Sequence, residues 1–153
     1  MRTPHRLLAH PPPVRRHNTP LVLHVTVCAR DRIAVLANAT AHAALAAAWR
    51  EATQWLVGTY LIMPDRVHFF CVPGIPDCPP VRRWCGYWKR LTGKCEPALL
   101  RVFQTDCFDT QMRSREHYEE KLGYIMANPV RRGLAAAPAE WPFHGKVHDV
   151  GWR

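Results

Sequence analysis

The chain has 153 residues, of which 48% are hydrophobic, and its 21 Lys and Arg against 12 Asp and Glu give a net charge of +9. A chain of this length forms one domain and buries about 70% of its unfolded surface without cross-links. It contains no stretch of about 18 apolar residues and no apolar signal region, so we expect a cytoplasmic protein without a membrane partner. The excess of basic residues favours a polyanionic partner, most often nucleic acid.

Residues 1–20 are rich in proline and arginine, and proline at that density excludes a helix interior or a sheet ladder. We predict a mobile basic arm that either contacts phosphate or is simply a solvated tail. The predicted folded domain covers residues 21–145, and residues 146–153 form a tail.

The first predicted strand covers residues 21–29, where apolar side chains alternate and His24 lies on the second face. A helix then begins at Asn38 or Thr40, both of which can cap its N-terminus, and runs to about Leu56. Its apolar residues recur every three or four positions, which indicates a buried stripe.

A predicted hairpin follows, with strands at 58–63 and 66–72 on either side of a Pro-Asp turn. Arg66 and His68 share one face of its second strand. A single histidine in a strand is usually structural, so this stretch alone leaves its role open.

A second helix is predicted over residues 80–93, with an apolar stripe that includes Trp84 and Trp88. A second face of this helix carries Arg83, Tyr87, Arg90 and Lys94, which follow one another at intervals of four, three and four residues. Basic residues around an aromatic ring suit a nucleic-acid backbone with a stacked base. A solvated basic face is the alternative.

A loop and a short strand are predicted over residues 101–111, and Ser114 then begins a third helix that ends at Asn128-Pro129. At about 100° per residue, its polar residues fall in one stripe, formed by His117, Lys121, Tyr124 and Asn128. Apolar residues on the adjacent face should pack. A tyrosine in a helix is usually a packing residue, but one inside a polar stripe is also a candidate for chemistry.

The order strand, helix, strand, strand, helix, strand predicts an α+β fold, a ferredoxin-like βαββαβ plait with an antiparallel sheet. The first two helices should cover one face of the sheet. An added C-terminal helix carrying Tyr124 should bring its polar stripe against the strand of His68. The Tyr124 hydroxyl and the His68 ring should then be close enough for a phosphate and a cation to bridge them.

Four motifs in order resemble those of the single-tyrosine HUH transposases, a group that includes insertion-sequence transposases. The stretch 63–68 is similar to their Met-Pro-x-His-hydrophobic-His motif, and Phe103-Gln104 with Phe108-Asp109 and Arg113 to a later block. The stretch 124–134 is similar to their Tyr-Ile-x-x-Asn-Pro-Val-x-x-Gly-Leu motif, and Trp141-Pro142-Phe143 to their usual end. The similarity covers residues 20–145, and it is strongest to the REP-associated tyrosine transposases. These bacterial proteins act on hairpins in single-stranded DNA.

The resemblance implies DNA transposition by strand cleavage and rejoining, with Tyr124 as the nucleophile and a 5′-phosphotyrosine intermediate. It also implies Mg²⁺ or Mn²⁺ bound by the motif histidines and Asn128, which would polarise the scissile phosphate. His68 is the second motif histidine, but Arg66 stands where the family has the first. A guanidinium cannot ligate a cation, so metal binding is in doubt. His24, expected on the neighbouring strand, is a further candidate ligand.

Arg66 leaves alternatives open. In the first, catalysis is impaired and the protein is a domesticated DNA-binding module. In the second, Arg66 binds the scissile phosphate itself. An RNA-binding plait is a third alternative, disfavoured because the Gly-aromatic strand signature is missing. The expected partner is single-stranded or hairpin DNA, bound by a monomer or homodimer. The candidate DNA-binding residues are Arg83, Tyr87, Arg90, Lys94, Lys121, Arg131 and Arg132.

Overall fold

The computed structural model describes residues 11–16 and 18–153, so residues 1–10 and 17 of the predicted arm lie outside it. The described residues form a five-stranded antiparallel sheet with the strand order β4–β1–β3–β2–β5. The strands are β1 Leu23–Cys28, β2 Trp55–Met63, β3 Arg66–Pro73, β4 Phe108–Gln111 and β5 His144–Lys146. The α-helices are α1 Ala39–Glu51, α2 Val81–Cys95, α3 Arg115–Met126 and α4 Asn128–Arg131.

The first four strands and first two helices follow each other as β1-α1-β2-β3-α2-β4. Together with the antiparallel order β4–β1–β3–β2, this is the ferredoxin-like plait predicted from the sequence. The prediction of the fold class is therefore confirmed. Strand β5, which the sequence patterns did not predict, adds a further edge beside β2.

Two neighbouring residues of β3 show how the sheet separates two hydrophobic layers. The ring of Phe69 contacts Trp84 and Trp88 of α2, in a core that also includes residues of α1. The ring of Phe70 instead contacts Tyr118 of α3. Since successive strand residues point to opposite faces, α1 and α2 cover one face and α3 covers the other, as predicted.

The end of α1 differs from the prediction. Asn38 caps the helix, because its side chain accepts a hydrogen bond of 2.8 Å from the amide of Ala41. The helix ends at Glu51, and the apolar residues Trp55 and Leu56, predicted to close its buried stripe, begin β2. There they pair with the end of β3, and the indole of Trp55 donates to the carbonyl of Pro79.

A break at Ala127 separates α3 from α4. Ser114 caps α3 as predicted, accepting from the amide of His117, and the His117 ring accepts in turn from the amide of Arg113. The His117 ring is therefore used in a hydrogen bond at the N-terminus of α3 and does not join the predicted polar stripe. The predicted helix end at Asn128 is in fact the start of α4, after Ala127 leaves the regular helical path with ψ −5°.

The C-terminal segment packs against the sheet. Trp141 is buried, its indole donates to the carbonyl of Ile62 at 2.9 Å, and its ring meets Phe143 edge to face, which confirms the predicted aromatic docking. Residues predicted as a tail also contact the domain, since Lys146 pairs with Thr59 in the sheet. No helix in the described part of the chain is long and apolar enough to cross a membrane.

Candidate functional site

Two histidines and a threonine meet on the sheet face that α3 covers. Thr26 lies directly opposite His68 in the β1–β3 ladder. The threonine hydroxyl is 2.9 Å from Nδ1 of His68, and Nε2 of His24 is 3.4 Å from that same atom. The two imidazoles stack with their centroids 5.5 Å apart. The structure thus brings His24 and His68 together, as the pairing of their strands predicted.

Asn128, at the start of α4, reaches the same histidine from the other side. Its side-chain nitrogen lies 3.3 Å from Nε2 of His68, while its side-chain oxygen accepts a hydrogen bond from Arg131. Because the arginine can only donate, it fixes the amide with its NH₂ group toward the imidazole. His68 then accepts at Nε2, which leaves the proton on Nδ1, where it is donated to Thr26.

Tyr124 projects from the last turn of α3, and 61% of its surface is exposed. The guanidinium of Arg131 lies 3.8 Å from the centre of the tyrosine ring, a cation–π contact. The same guanidinium also donates a hydrogen bond of 2.6 Å to the backbone carbonyl of Tyr124. Arg131 therefore connects the exposed phenol to Asn128, and through it to His68.

Both histidines are neutral near pH 7. Burial lowers the pKa of His24 to about 3, assisted by the repulsion that a second protonated imidazole at His68 would cause and by the charge of Lys121. Burial likewise lowers the pKa of His68 to about 3, assisted first by Arg66 and then by Lys121. Their imidazoles therefore offer lone pairs, but the charged groups that depress both pKa values are cations.

Asp65, in the turn of the hairpin, is the centre of an arginine cluster that sequence reasoning missed. Its carboxylate accepts from Arg32 at 3.0 Å and from Arg132 at 3.1 Å. Burial alone would raise the pKa of Asp65, but these hydrogen bonds and the charges of Arg32 and Arg66 outweigh it, and the pKa is lowered. Arg132 thereby ties α4 to the hairpin. An aspartate in a turn gives no sequence signal for partners so distant along the chain.

The predicted DNA-binding residues fall into two groups. Lys121 on α3, Arg131 on α4 and Arg132 directly after α4 lie beside the histidines, Tyr124 and Asp65 respectively. The remaining four lie on α2, on the opposite side of the sheet, and are Arg83, Tyr87, Arg90 and Lys94. The three basic residues of this second group are exposed, but Tyr87 packs partly against the core. The structure does not bring the α2 group together with Tyr124.

Comparison with known proteins agrees with this arrangement. A curated relative, the REP-associated tyrosine transposase of Escherichia coli (strain K12), is 26% identical over 96 residues, which are 61% of this chain. The chain spans 56% of the length of that relative. A solved structure described as this kind of transposase bound to a REP hairpin has a TM-score of 0.69 at 20% identity, over 90% of this chain and 94% of that one. No protein-family model matches.

In sequence and fold, the chain is similar to the REP-associated tyrosine transposases. This confirms the resemblance drawn from the four motifs and the expected plait.

The similarity makes a divalent metal ion plausible, but the residues present do not fit one. The described residues contain no group of three or more His, Cys, Asp or Glu side chains placed to hold a metal. Both ring nitrogens of His68 face other groups, Thr26 and the NH₂ of Asn128. Arg66 and Lys121 add positive charge beside the imidazoles. These cations oppose the entry of a metal ion, while the carboxylate of Asp65, which acts in the opposite sense, is already paired with Arg32 and Arg132.

Proposed function

We propose that this protein binds hairpin DNA and cleaves and rejoins the strand through Tyr124. The observation that carries the proposal is the link formed by Arg131, whose guanidinium holds the exposed phenol and also the amide that contacts His68. The similarity to a transposase described as bound to a REP hairpin supports the same partner for this chain.

The charge of the site suits a nucleic-acid strand. The chain has a net charge of +9, and Lys121, Arg131 and Arg132 lie around the face that carries Tyr124. Phosphate contacts made by such residues release counterions from DNA, so affinity should fall steeply as salt is raised. The exposed tyrosine ring leaves its oxygen accessible to a bound strand.

The proposed reaction exchanges one phosphodiester bond for another. The phenol oxygen of Tyr124 attacks phosphorus and loses its proton, and the bond from phosphorus to the 3′ oxygen breaks, so the leaving oxygen takes up a proton. The product is a 5′-phosphotyrosine and a free 3′-OH. A 3′-OH can attack the phosphotyrosine and restore the strand without ATP, because the bond energy is retained.

A second candidate function is hairpin binding without cleavage. Arg66 favours it, because a guanidinium replaces a motif histidine and the remaining donors do not fit a divalent ion. In that case the protein is a DNA-binding module of transposase origin, and the surface of α3 and α4 recognises DNA only.

The experiment uses an end-labelled DNA hairpin with single-stranded flanks, incubated with the wild type and with Tyr124→Phe. We expect the wild type to form a covalent adduct that survives a denaturing gel and Tyr124→Phe to form none. Both proteins should retain the hairpin under native conditions, since the ring is kept.

The other outcomes separate the candidates. Hairpin binding without any adduct, in chelator and in Mg²⁺ or Mn²⁺, supports the binding module. Equal retention of an RNA hairpin and a DNA hairpin of matched sequence supports the RNA-binding plait. No retention of any hairpin at moderate salt contradicts the proposal as a whole.

A further inference from the structure

We propose that the fixed cations of Arg66 and Lys121 hold a phosphodiester group of the bound DNA at this site, in place of a divalent metal ion. The inference rests on the proposed DNA binding and not on cleavage. It assigns a ligand class, the phosphodiester, to a position where the sequence motif alone would place a metal.

The guanidinium of Arg66 is only loosely engaged within the described part of the chain. Its Nε atom is buried and makes no hydrogen bond there. The nearest carboxylate oxygen is Oδ1 of Asp65, at 4.0 Å, and it already accepts from Arg132. A buried donor without an acceptor is unfavourable, and the partly exposed guanidinium of Arg66 also carries terminal N–H groups that can donate to an anionic ligand.

Lys121 is a second cation without a partner among the described residues. Its ammonium makes no hydrogen bond or ion pair there, although Glu116, Glu119 and Glu120 lie on the same helix. Instead its charge acts on His24 and His68, which places it beside the imidazole pair. Lys121 also lies one turn before Tyr124 on α3.

The two cations lie on the same side of the sheet, the side that α3 covers. Arg66 lies two residues before His68 on β3, so both side chains are on the face that α3 covers. Asp65 offsets only part of this positive charge, because its carboxylate already pairs with Arg32 and Arg132, and a bound anion would offset more of it.

The chemistry of the pair favours phosphate. A guanidinium presents parallel N–H donors that match two oxygens of a phosphate group, and an ammonium adds a point charge with rotatable donors. Arg131 and Arg132, already committed to Tyr124 and Asp65, extend the positive surface along α4. A strand lying across α3 and α4 would then place one phosphodiester between Arg66 and Lys121.

The test measures binding of a fluorescent DNA hairpin by anisotropy over a range of salt, in EDTA and in Mn²⁺. The variants are Arg66→Gln, Arg66→Lys and Lys121→Gln, with Arg50→Gln as the matched control. Arg50 is an exposed arginine on α1, on the opposite face of the sheet. Each variant is first checked for native thermal unfolding.

We expect the wild type to bind equally well in EDTA and in Mn²⁺, within twofold. Arg66→Gln and Lys121→Gln should each weaken binding and reduce the slope of log affinity against log salt by about 0.7–0.9, the contribution of one phosphate contact. Arg66→Lys should keep the slope, because it keeps the charge, but bind more weakly. Arg50→Gln should behave as the wild type.

Three results would overturn the inference. The first is wild-type binding that requires Mn²⁺. The second is a slope of log affinity against log salt that is the same in Arg66→Gln and Lys121→Gln as in Arg50→Gln. In either case the hairpin is still bound, so the proposed function survives. If the wild type binds no hairpin, both proposals fail together. Should Arg66→Gln not fold, Arg66→Lys and Lys121→Gln still decide the question.

Discussion

The side-chain amide of Asn128 lies 3.3 Å from Nε2 of His68, although 60 positions separate them in the chain. The contact joins the start of α4 to the second strand of the hairpin. It also determines what His68 can do, because the amide presents its NH₂ group to the lone pair that a metal ion or a proton would otherwise use.

The first prediction concerns the tautomer of His68. Because Asn128 donates to Nε2, the ring should carry its proton on Nδ1 and donate it to Thr26. The ¹⁵N chemical shifts of the histidine rings at pH 7 should show one imidazole in this less common form. Asn128→Ala should shift that signal toward the Nε2-protonated form. An Nε2-protonated His68 in the wild type would contradict the geometry.

The second prediction is a loss of stability in mild acid. The pKa values of His24 and His68 are about 3 in the folded protein, against an ordinary value of 6.5. Between these values the unfolded chain binds more protons, so the stability present above pH 6.5 is lost as the pH falls toward 3. Each histidine should reduce the free energy of unfolding by about 1.4 kcal/mol per pH unit in that window.

Urea unfolding at several pH values between 7.5 and 4.5 measures this loss. The matched variant is His24→Gln, which cannot be protonated and should show a pH slope smaller by about one proton. Equal slopes for this variant and the wild type would mean that His24 is protonated in the folded protein.

A third prediction tests Asp65 as the anchor of α4. Asp65→Asn should lower the free energy of unfolding by about 1–3 kcal/mol, because hydrogen bonds from Arg32 and Arg132 lose their charged acceptor. Asp149→Asn is the control, since its side chain is 88% exposed against 10% for Asp65, and it should change stability by less than about 0.5 kcal/mol. Chemical denaturation compares them, and equal effects would remove the special role of Asp65.

The fourth prediction concerns the aromatic docking of the C-terminal segment. Trp141→Phe removes the indole donor to Ile62 and should reduce stability by about 1–3 kcal/mol. Trp141→Ala also leaves a cavity, and a larger loss of about 3–5 kcal/mol is expected. If the two variants unfolded at the same urea concentration, the packing of the ring would contribute nothing beyond its hydrogen bond.

The fifth prediction is that one substitution at residue 66 makes hairpin binding and adduct formation respond to a divalent metal ion. Arg66→His removes the repelling guanidinium and supplies an imidazole two residues before His68, on the same strand face. Hairpin binding and adduct formation by this variant should then increase in Mn²⁺ relative to EDTA, unlike the wild type. Adding His68→Gln should remove the increase. An identical response in Arg66→His and the wild type would show that residue 66 does not control the metal.

Much of the fold could be predicted because its signals are local. The alternation along β3 placed Arg66, His68 and Phe70 on one face, and three- and four-residue spacing found the buried stripe of α2. The predicted end of α1 at Leu56 was wrong, because Trp55 and Leu56 continue the helical spacing by coincidence. A short apolar run is compatible with either structure, and here pairing with β3 decided it.

The site itself was less accessible to sequence reasoning. Pairing of β1 with β3 was enough to expect His24 beside His68. The contact of Arg131 with Tyr124 joins α4 to α3 across the break at Ala127. Nothing local to Asn128-Pro129 distinguishes a helix end from a change of direction into another helix. Distant contacts of this kind require the tertiary structure.

The N-terminal prolines also matter for the behaviour of the protein at high concentration. Val14 exchanges hydrogen bonds with the side chain of Gln111, and Pro11–Val14 line a surface cleft together with β4, an outer strand of the sheet. An uncovered outer strand is a template for pairing between molecules, whereas a proline has no N–H to donate to an incoming strand. Residues 11–14 lie beside this outer strand, so a shortened chain that begins after Val14 is expected to expose it further and to aggregate more readily.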